Sequence, residues 1–286
     1  MTPLLAGNRT ELAGARAALG APVVLVPTMG ALHHGHAVLL RRAAELAGPG
    51  GSVVASIFVN PLQFGPNEDF ERYPRTLDAD LEACGKEGVA LVFAPTRRDM
   101  YPSSPLVTVD PGPAGQVLEG EFRPGFFGGV LTVVLKLFML VRPDTAVFGE
   151  KDAQQLALIR RMTGDLDLGV AIESVPIVRD ADGLATSSRN AYLSGPERAT
   201  ALAIPAGMAA GRDAVPDGPR AVLSAARRAL EAAGPSLSVD YLSLVHPESF
   251  QPVGEEHTGP AVLAVAARAG STRLIDNVPL AFGGER

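Results

Sequence analysis

The chain has 286 residues, 47% of them apolar, and a formal charge of -6. That is enough apolar material for one large or two modest domains with a sizeable core, uninterrupted by low-complexity tracts. The acidic balance argues against nucleic acid as a partner, because phosphate-backbone binding needs a basic face, but it leaves room for a basic pocket around one anionic ligand.

The single cysteine, Cys84, excludes an intrachain disulfide and reads as a small half-buried residue. The first twenty residues show no cationic start followed by an apolar run. No apolar stretch reaches the roughly 20 residues of a membrane span. Residues 130–141 are too short and contain Lys136. The expectation is a soluble cytoplasmic protein with no membrane partner.

In chain order, Pro22-Val23-Val24-Leu25-Val26-Pro27 reads as a buried strand closed by Thr28-Met29-Gly30. Residues 37–47 then read as a helix, 52–59 as a second strand, 78–87 as a helix and 89–93 as a third strand. A buried helix over 130–141, a strand over 145–148, a helix over 152–164 and a strand over 170–178 complete the pattern. Strand and helix alternate, and the strands are almost continuously apolar. This predicts a doubly wound, Rossmann-like parallel sheet covered on both faces, with ligands beyond the carboxyl ends of its strands.

After residue 178 the texture changes to two alanine-rich helices, 197–211 and 219–233, then short strands over 239–245, 261–267 and 272–275. The expected organisation is a Rossmann-like ligand-binding domain at 1–177. A smaller α+β domain at 178–286 is expected to close over the site.

Three of the five histidines lie in Leu32-His33-His34-Gly35-His36, where the first strand passes into a helix. In helical geometry His33 and His36, three apart, share one face. A helix N-terminus offers unpaired N–H groups to phosphate, and an imidazole pair there adds donors toward charge that grows during displacement. A metal site or a solvated loop is the alternative, though no further zinc ligands are at hand.

A second cluster, Phe148-Gly149-Glu150-Lys151-Asp152-Ala153-Gln154-Gln155, opens a helix at the same edge of the sheet. Lys151 supplies a compact cation for phosphate, Asp152 an acceptor for a ribose hydroxyl or a cap, and Gln155 a group for an organic substrate. Routine helix capping is the bland reading. In Arg179 to Asn190, the two hydroxyls and guanidinium of Ser187-Ser188-Arg189 read either as a clamp of donors for polyphosphate or as an ordinary loop. Asn60 and Gln63, ending the second strand, suit a small hydroxylated ligand or a simple turn.

Taken together, the string from Pro27 to His36, then Ser56-Ile57-Phe58-Val59-Asn60-Pro61-Leu62-Gln63-Phe64, then Gly149-Glu150-Lys151-Asp152, then Ser187-Ser188-Arg189-Asn190, resembles the pantothenate synthetases. These belong to the nucleotidyltransferase superfamily that includes class I aminoacyl-tRNA synthetases. The likeness runs along essentially the whole chain, to Thr272-Arg273-Leu274-Ile275-Asp276-Asn277.

The resemblance implies ATP- and Mg²⁺-dependent condensation of (R)-pantoate with β-alanine through a pantoyl-adenylate, releasing AMP and pyrophosphate, in a homodimer. It implies that His36, as proton donor, acts with His33 and Lys151 in catalysis. Met29, Gly30, His33, His36, Gly149, Lys151, Asp152, Val178, Thr186, Ser187, Ser188 and Arg189 would bind ATP. Gln63, Gln155, Asn60, Val133 and Val134 would bind pantoate, and Asp80 the metal.

Phe126, Thr186, Ala153 and Ala79 depart from the family pattern; Ala79 stands where a second metal-linked acidic residue is usual. Other readings of the same residues are a nucleotidylyltransferase that leaves AMP on its product, a tRNA-charging enzyme, which the acidic balance disfavours, and a non-catalytic ATP sensor.

Overall fold

A computed structural model describes residues 2–66, 68 and 70–283. The chain forms two compact units, Met1–Glu150 with Leu158–Pro176, and Lys151–Ala157 with Ile177–Arg286.

In the first unit the order is β1 (Leu4–Ala6), α1 (Arg9–Ala17), β2 (Val23–Thr28), α2 (His34–Ala47), β3 (Ser52–Ile57), α3 (Leu77–Lys86) and β4 (Leu91–Phe93). There follow α4 (Arg97–Met100), α5 (Glu119–Phe122), α6 (Phe126–Val141), β5 (Thr145–Gly149), α7 (Ala153–Asp165), whose first turn groups with the second unit, and β6 (Ala171–Val175).

The six strands form one parallel sheet in the order β1-β4-β3-β2-β5-β6. Alternation along the strands sends Val24, Val26, Val53, Ala55 and Val92 to one face, where Leu40 and Ala43 of α2 cover them. Val23, Leu25, Val54, Leu91 and Phe93 point the other way and are equally buried. On that side α6 lies against β2 and packs on α1. Both faces are covered, which is why these strands read as continuous apolar runs. The order reverses between β2 and β5, so the carboxyl ends of these neighbours flank the switch-point crevice where doubly wound sheets take ligands.

The second unit contains α8 (Gly195–Ala201), α9 (Ala203–Asp213), α10 (Pro219–Glu231) and an antiparallel sheet of β7 (Leu237–Val245), β8 (Gly259–Ala269) and β9 (Thr272–Phe282), with β8 central. Ile204 and Met208 of α9, Val222 and Ala226 of α10, and Leu263, Val265 and Leu274 of the sheet make its core. The fold is thus a Rossmann-like unit plus a smaller α+β unit, as expected.

Several details differ from the sequence reading. β1 was not foreseen, being three residues long with Leu4 and Leu5 exposed. The helix expected over 197–211 is two helices divided at Leu202. β9 runs on from Ile275 to Phe282 because β8 pairs with it throughout. Lys151–Ala157 group with the second unit rather than with a domain spanning 1–177, and Asn277 Nδ2 of β9 donates to the Lys151 carbonyl at 2.9 Å.

Candidate active site

The site begins where β2 ends. Thr28 Oγ1 donates to the Ser56 carbonyl of β3 at 2.7 Å and accepts from Gly30 N–H at 3.2 Å, which turns the chain off the sheet. Gly30 and Ala31 both have positive φ, 87° and 52°. For Ala31 the left-handed conformation costs about 1–2 kcal/mol, so something must hold it. The holder is Asp80 of α3, which is 2% exposed. Its carboxylate accepts Leu32 N–H at 2.8 Å and Ala31 N–H at 3.1 Å, and the Thr76 hydroxyl at 3.3 Å.

The turn delivers two histidines to the start of α2, but not on one helical face. His33 is extended backbone at the N-cap position, outside the helix (φ -126°). His33 Nδ1 accepts Gly35 N–H at 3.2 Å, and His36 Nδ1 accepts His33 N–H at 3.2 Å. This reciprocal cap satisfies helix-end amides that would otherwise lack partners. The rings lie 4.0 Å apart, centroid to centroid.

A ring nitrogen that accepts an amide N–H carries no proton, so each neutral imidazole has its proton on Nε2. Burial, and after it the neighbouring His33, hold His36 down at about pKa 3. At neutral pH it is an uncharged hydrogen-bond donor. In this state the His36 ring offers a hydrogen bond rather than a second, transferable proton.

The turn after β3 forms the second wall. Asn60, 1% exposed, uses every polar position it has. Its Oδ1 accepts from Tyr101 Oη at 3.0 Å and Leu62 N–H at 3.3 Å, and its Nδ2 donates to Gln63 Oε1 and to the Gly129 carbonyl, both at 3.1 Å. Burial pushes the Tyr101 hydroxyl well above the ordinary range, so it keeps the proton it donates. Asn60 therefore orients Gln63 and has no group left for a ligand, which corrects its expected pantoate contact.

Gln63 Nε2 donates to Met29 Sδ at 3.0 Å, joining this wall to the histidine turn. Arg123 reinforces it, donating to the Gln63 carbonyl at 3.1 Å and to both Glu68 carboxylate oxygens at 2.6 and 2.8 Å. The Arg123 guanidinium lies 3.6 Å over the Phe126 ring, so this departure from the family pattern supports an arginine.

Gly129 of α6 passes under the same turn: a Cβ there would meet the Leu62 carbonyl oxygen at 2.0 Å. Val133, one helical turn on, shares the Gly129 face, whereas Val134 lies about 140° round from Gly129; both are buried.

The second unit arranges its own residues. Asp180 to Gly183 makes a tight turn, with Gly183 N–H bonded to the Asp180 carbonyl at 2.9 Å and Gly183 at φ 92°. Beyond it, Thr186 N–H donates to the Val178 carbonyl at 2.9 Å and Thr186 Oγ1 to Asp180 Oδ1 at 2.6 Å. Asn190 Nδ2 and Arg198 Nη2 meet Asp180 Oδ2 at 3.1 and 2.8 Å. Burial raises the Asp180 pKa, but the bonds from Thr186, Arg198 and Asn190 outweigh it and hold the group below the usual carboxylate range.

The Thr186 proton is thus committed to its own loop; Ser187, Ser188 and Arg189, the residues of the expected clamp, are half-buried. Ser187 Oγ accepts Arg189 N–H at 3.3 Å. Arg179 is committed as well, bonded through both terminal nitrogens to Asp276 at 2.7 and 3.0 Å. Asp276 also accepts Asn277 N–H at 2.8 Å, and Asn277 holds the Lys151 carbonyl. Gly149 ends β5, Lys151 and Gln155 are half-buried, and Asp152 is exposed.

Asp80 does not fit the expected metal role. Both oxygens are occupied by loop donors, whereas Mg²⁺ demands near-octahedral oxygen ligation. Among the described residues no group of three or more His, Cys, Asp or Glu side chains is arranged for a metal. Cys84, one turn from Asp80, is pushed to about pKa 11 by burial and then by Asp80, which removes it as a nucleophile.

Sequence reasoning missed Asp80 as a loop anchor, together with Tyr101, Arg123, Gly129, Asp180 and Asn277. Of these, Asp180 and Asn277 stood in strings already singled out, Arg179 to Asn190 and Thr272 to Asn277. No helix among the described residues is long and apolar enough to cross a membrane.

The family described as "Pantoate-beta-alanine ligase" matches residues 5–279. A pantothenate synthetase from Thermobifida fusca is 60% identical over 288 residues, covering 98% of this chain and 96% of the relative. Among solved structures, the pantothenate synthetase from Thermus thermophilus superposes with a TM-score of 0.89 at 45% identity, covering 96% of this chain and 98% of that one. The Francisella tularensis pantoate-beta-alanine ligase, "Complexed with Beta-gamma ATP and Beta-alanine", superposes at 0.79 with 31% identity, covering 96% and 97%.

Proposed function

The chain belongs to the pantoate–β-alanine ligase family, and from that premise we propose that it condenses (R)-pantoate with β-alanine through a pantoyl-adenylate, consuming ATP and releasing AMP and pyrophosphate. A carboxylate is a poor acyl donor to an amine, and a mixed anhydride with AMP supplies the leaving group. A pantoate carboxylate oxygen attacks the α-phosphorus and the bond to pyrophosphate breaks. The β-alanine nitrogen then attacks the pantoyl carbonyl, loses a proton, and AMP departs.

The observation that carries the reading is the reciprocal capping of His33 and His36. It holds both Nδ1 atoms as acceptors of main-chain N–H groups at a helix start, beside a switch point of the sheet, so the ring proton of the uncharged His36 sits on Nε2. Donors fixed in this way bind the charge that moves onto the phosphates without reorganising, each contributing on the order of 3 kcal/mol.

Lys151 neutralises phosphate charge in this proposal. Met29, Gly30, Gly149, Asp152, Val178, Ser187, Ser188 and Arg189 complete ATP binding, with Thr186 shaping the loop. Gln63 and Gln155 hold pantoate, whose methyls rest on Val133 and, less directly, Val134. Mg²⁺ enters as the complex of the ATP phosphates, as part of the substrate. A cytoplasmic homodimer completes the proposal, with Leu106 and Val107, 99% and 86% exposed, as an apolar surface for a second copy.

The test is pyrophosphate release from Mg-ATP and pantoate, with and without β-alanine, and identification of products. Pantoate-dependent pyrophosphate followed by β-alanine-dependent AMP and pantothenate is expected. His36→Ala and Lys151→Ala should each slow pyrophosphate release by about two orders of magnitude or more with the fold intact. A product that retains AMP would overturn the reading.

A further inference from the structure

Successive N–H groups in a turn with positive φ form a concavity that binds anions. Gly30, Ala31 and Leu32 make such a concavity beside the histidines. Its occupant is a side chain of the protein itself: Asp80 Oδ1 on Leu32 N–H and Oδ2 on Ala31 N–H, from a distant stretch of the sequence and almost completely buried. The fit is close, since a Cβ on Gly30 would sit 3.0 Å from Asp80 Oδ2 and 3.0 Å from Ile57 Cγ2.

We infer that Asp80 is a latch that sets the path of the histidine turn, and that it is not a metal ligand. The first consequence is that the Ala31 and Leu32 amides are closed to ATP phosphates, so on this side the histidine rings rather than the turn amides meet them. The second is that the magnesium requirement resides in the nucleotide complex and does not pass through α3. Asp80 is therefore a positioning residue. It acts through residues 31–33 on the imidazole donors, because His33 N–H is itself the donor to His36 Nδ1.

The inference deepens the ligase reading and rests on it only for the rate measurement. Three measurements test it on the full-length protein and on Asp80→Asn, which preserves volume while replacing one acceptor by a donor. In amide hydrogen exchange, Ala31 and Leu32 are protected in the wild type, and at least one exchanges tenfold or more faster in Asp80→Asn. In Mn²⁺ titration followed by electron paramagnetic resonance, nucleotide-free wild type and Asp80→Asn bind the ion equally poorly. In turnover, Asp80→Asn lowers kcat at least tenfold and leaves the Mg²⁺ concentration for half-maximal rate unchanged at fixed ATP.

A Mn²⁺ site in nucleotide-free wild type that Asp80→Asn abolishes would overturn the inference, as would unaltered exchange at both amides. Should Asp80→Asn not fold, wild-type amide protection and the wild-type Mn²⁺ titration decide alone. Wild type with protected amides and no pantoate-dependent turnover would count against the ligase reading and leave the latch standing.

Discussion

The turn that carries His33 and the loop that carries Ser187, Ser188 and Arg189 are each tied to an aspartate, Asp80 in the first unit and Asp180 in the second. The ties differ in kind. Asp80 reaches across from another helix and takes main-chain amides, so it sets the path of the backbone. Asp180 is 6 to 18 residues from its partners and takes side chains, Thr186, Asn190 and Arg198. One is buried without a cationic side chain among its described hydrogen-bond donors; the other is a partly exposed ion pair. A carboxylate that holds backbone in a dry setting is hard to replace, since each freed amide loses a partner with no water at hand. One that gathers side chains near solvent is cushioned by water and by salt.

Glycine substitutions offer the largest contrast. Gly129→Ala drives a methyl into the Leu62 carbonyl, so the backbone around Asn60 and Gln63 must shift. It should destabilise the protein by about 3 kcal/mol, read from urea unfolding, and raise the KM for pantoate. Gly183→Ala meets no atom within 4 Å and suffers only its positive φ. A loss of about 1–2 kcal/mol is expected there. Equal losses would mean that the two regions are equally tolerant, against the contrast drawn above.

Acid sharpens the comparison next. His36 is depressed to about 3 when folded and stands near 6.5 when unfolded, so as pH falls below 6.5 the unfolded chain takes up a proton that the folded one refuses. Stability is therefore lost as pH falls from 6.5 toward 3, by about 2 kcal/mol between pH 7 and pH 5. Urea unfolding at the two pH values checks this, and His36→Asn should remove that part of the loss. Asp180 behaves differently: its pKa is lowered below 3.8, so its contribution is intact above that value and disappears only as pH falls through its folded pKa.

The smallest effect belongs to the outer edge of the second loop. Arg198 pairs with Asp180 and with Asp182, at 2.8 Å in each case. Arg198→Ala should cost no more than about 1 kcal/mol in stability, and added salt should shrink that cost. Its clearer mark would be a raised KM for ATP if the loop places Arg189 as proposed.

Much of this was legible beforehand. The β-branched runs at 22–27 and 52–59 pointed to a sheet covered on both faces because such runs are soluble only when buried, and the histidine cluster stood where the first of them ended. The family was legible from the same strings. Helix starts were less so: α2 begins at His34, earlier than apolar periodicity indicates, because two histidine side chains cap it. The path of β9 depended on pairing with β8, which no local pattern announces.

By itself the sequence determined the layered α/β architecture and the family to which the chain belongs. Each follows from local periodicity or from residue strings. Only the tertiary structure decided which polar groups were already engaged. Asn60, Asp80, Arg179 and the Thr186 hydroxyl each carry the right atoms for a ligand, and each has given them to the protein. A residue's identity states what it can donate or accept; whether a partner brought in by the fold has taken that capacity depends on the three-dimensional path of the chain.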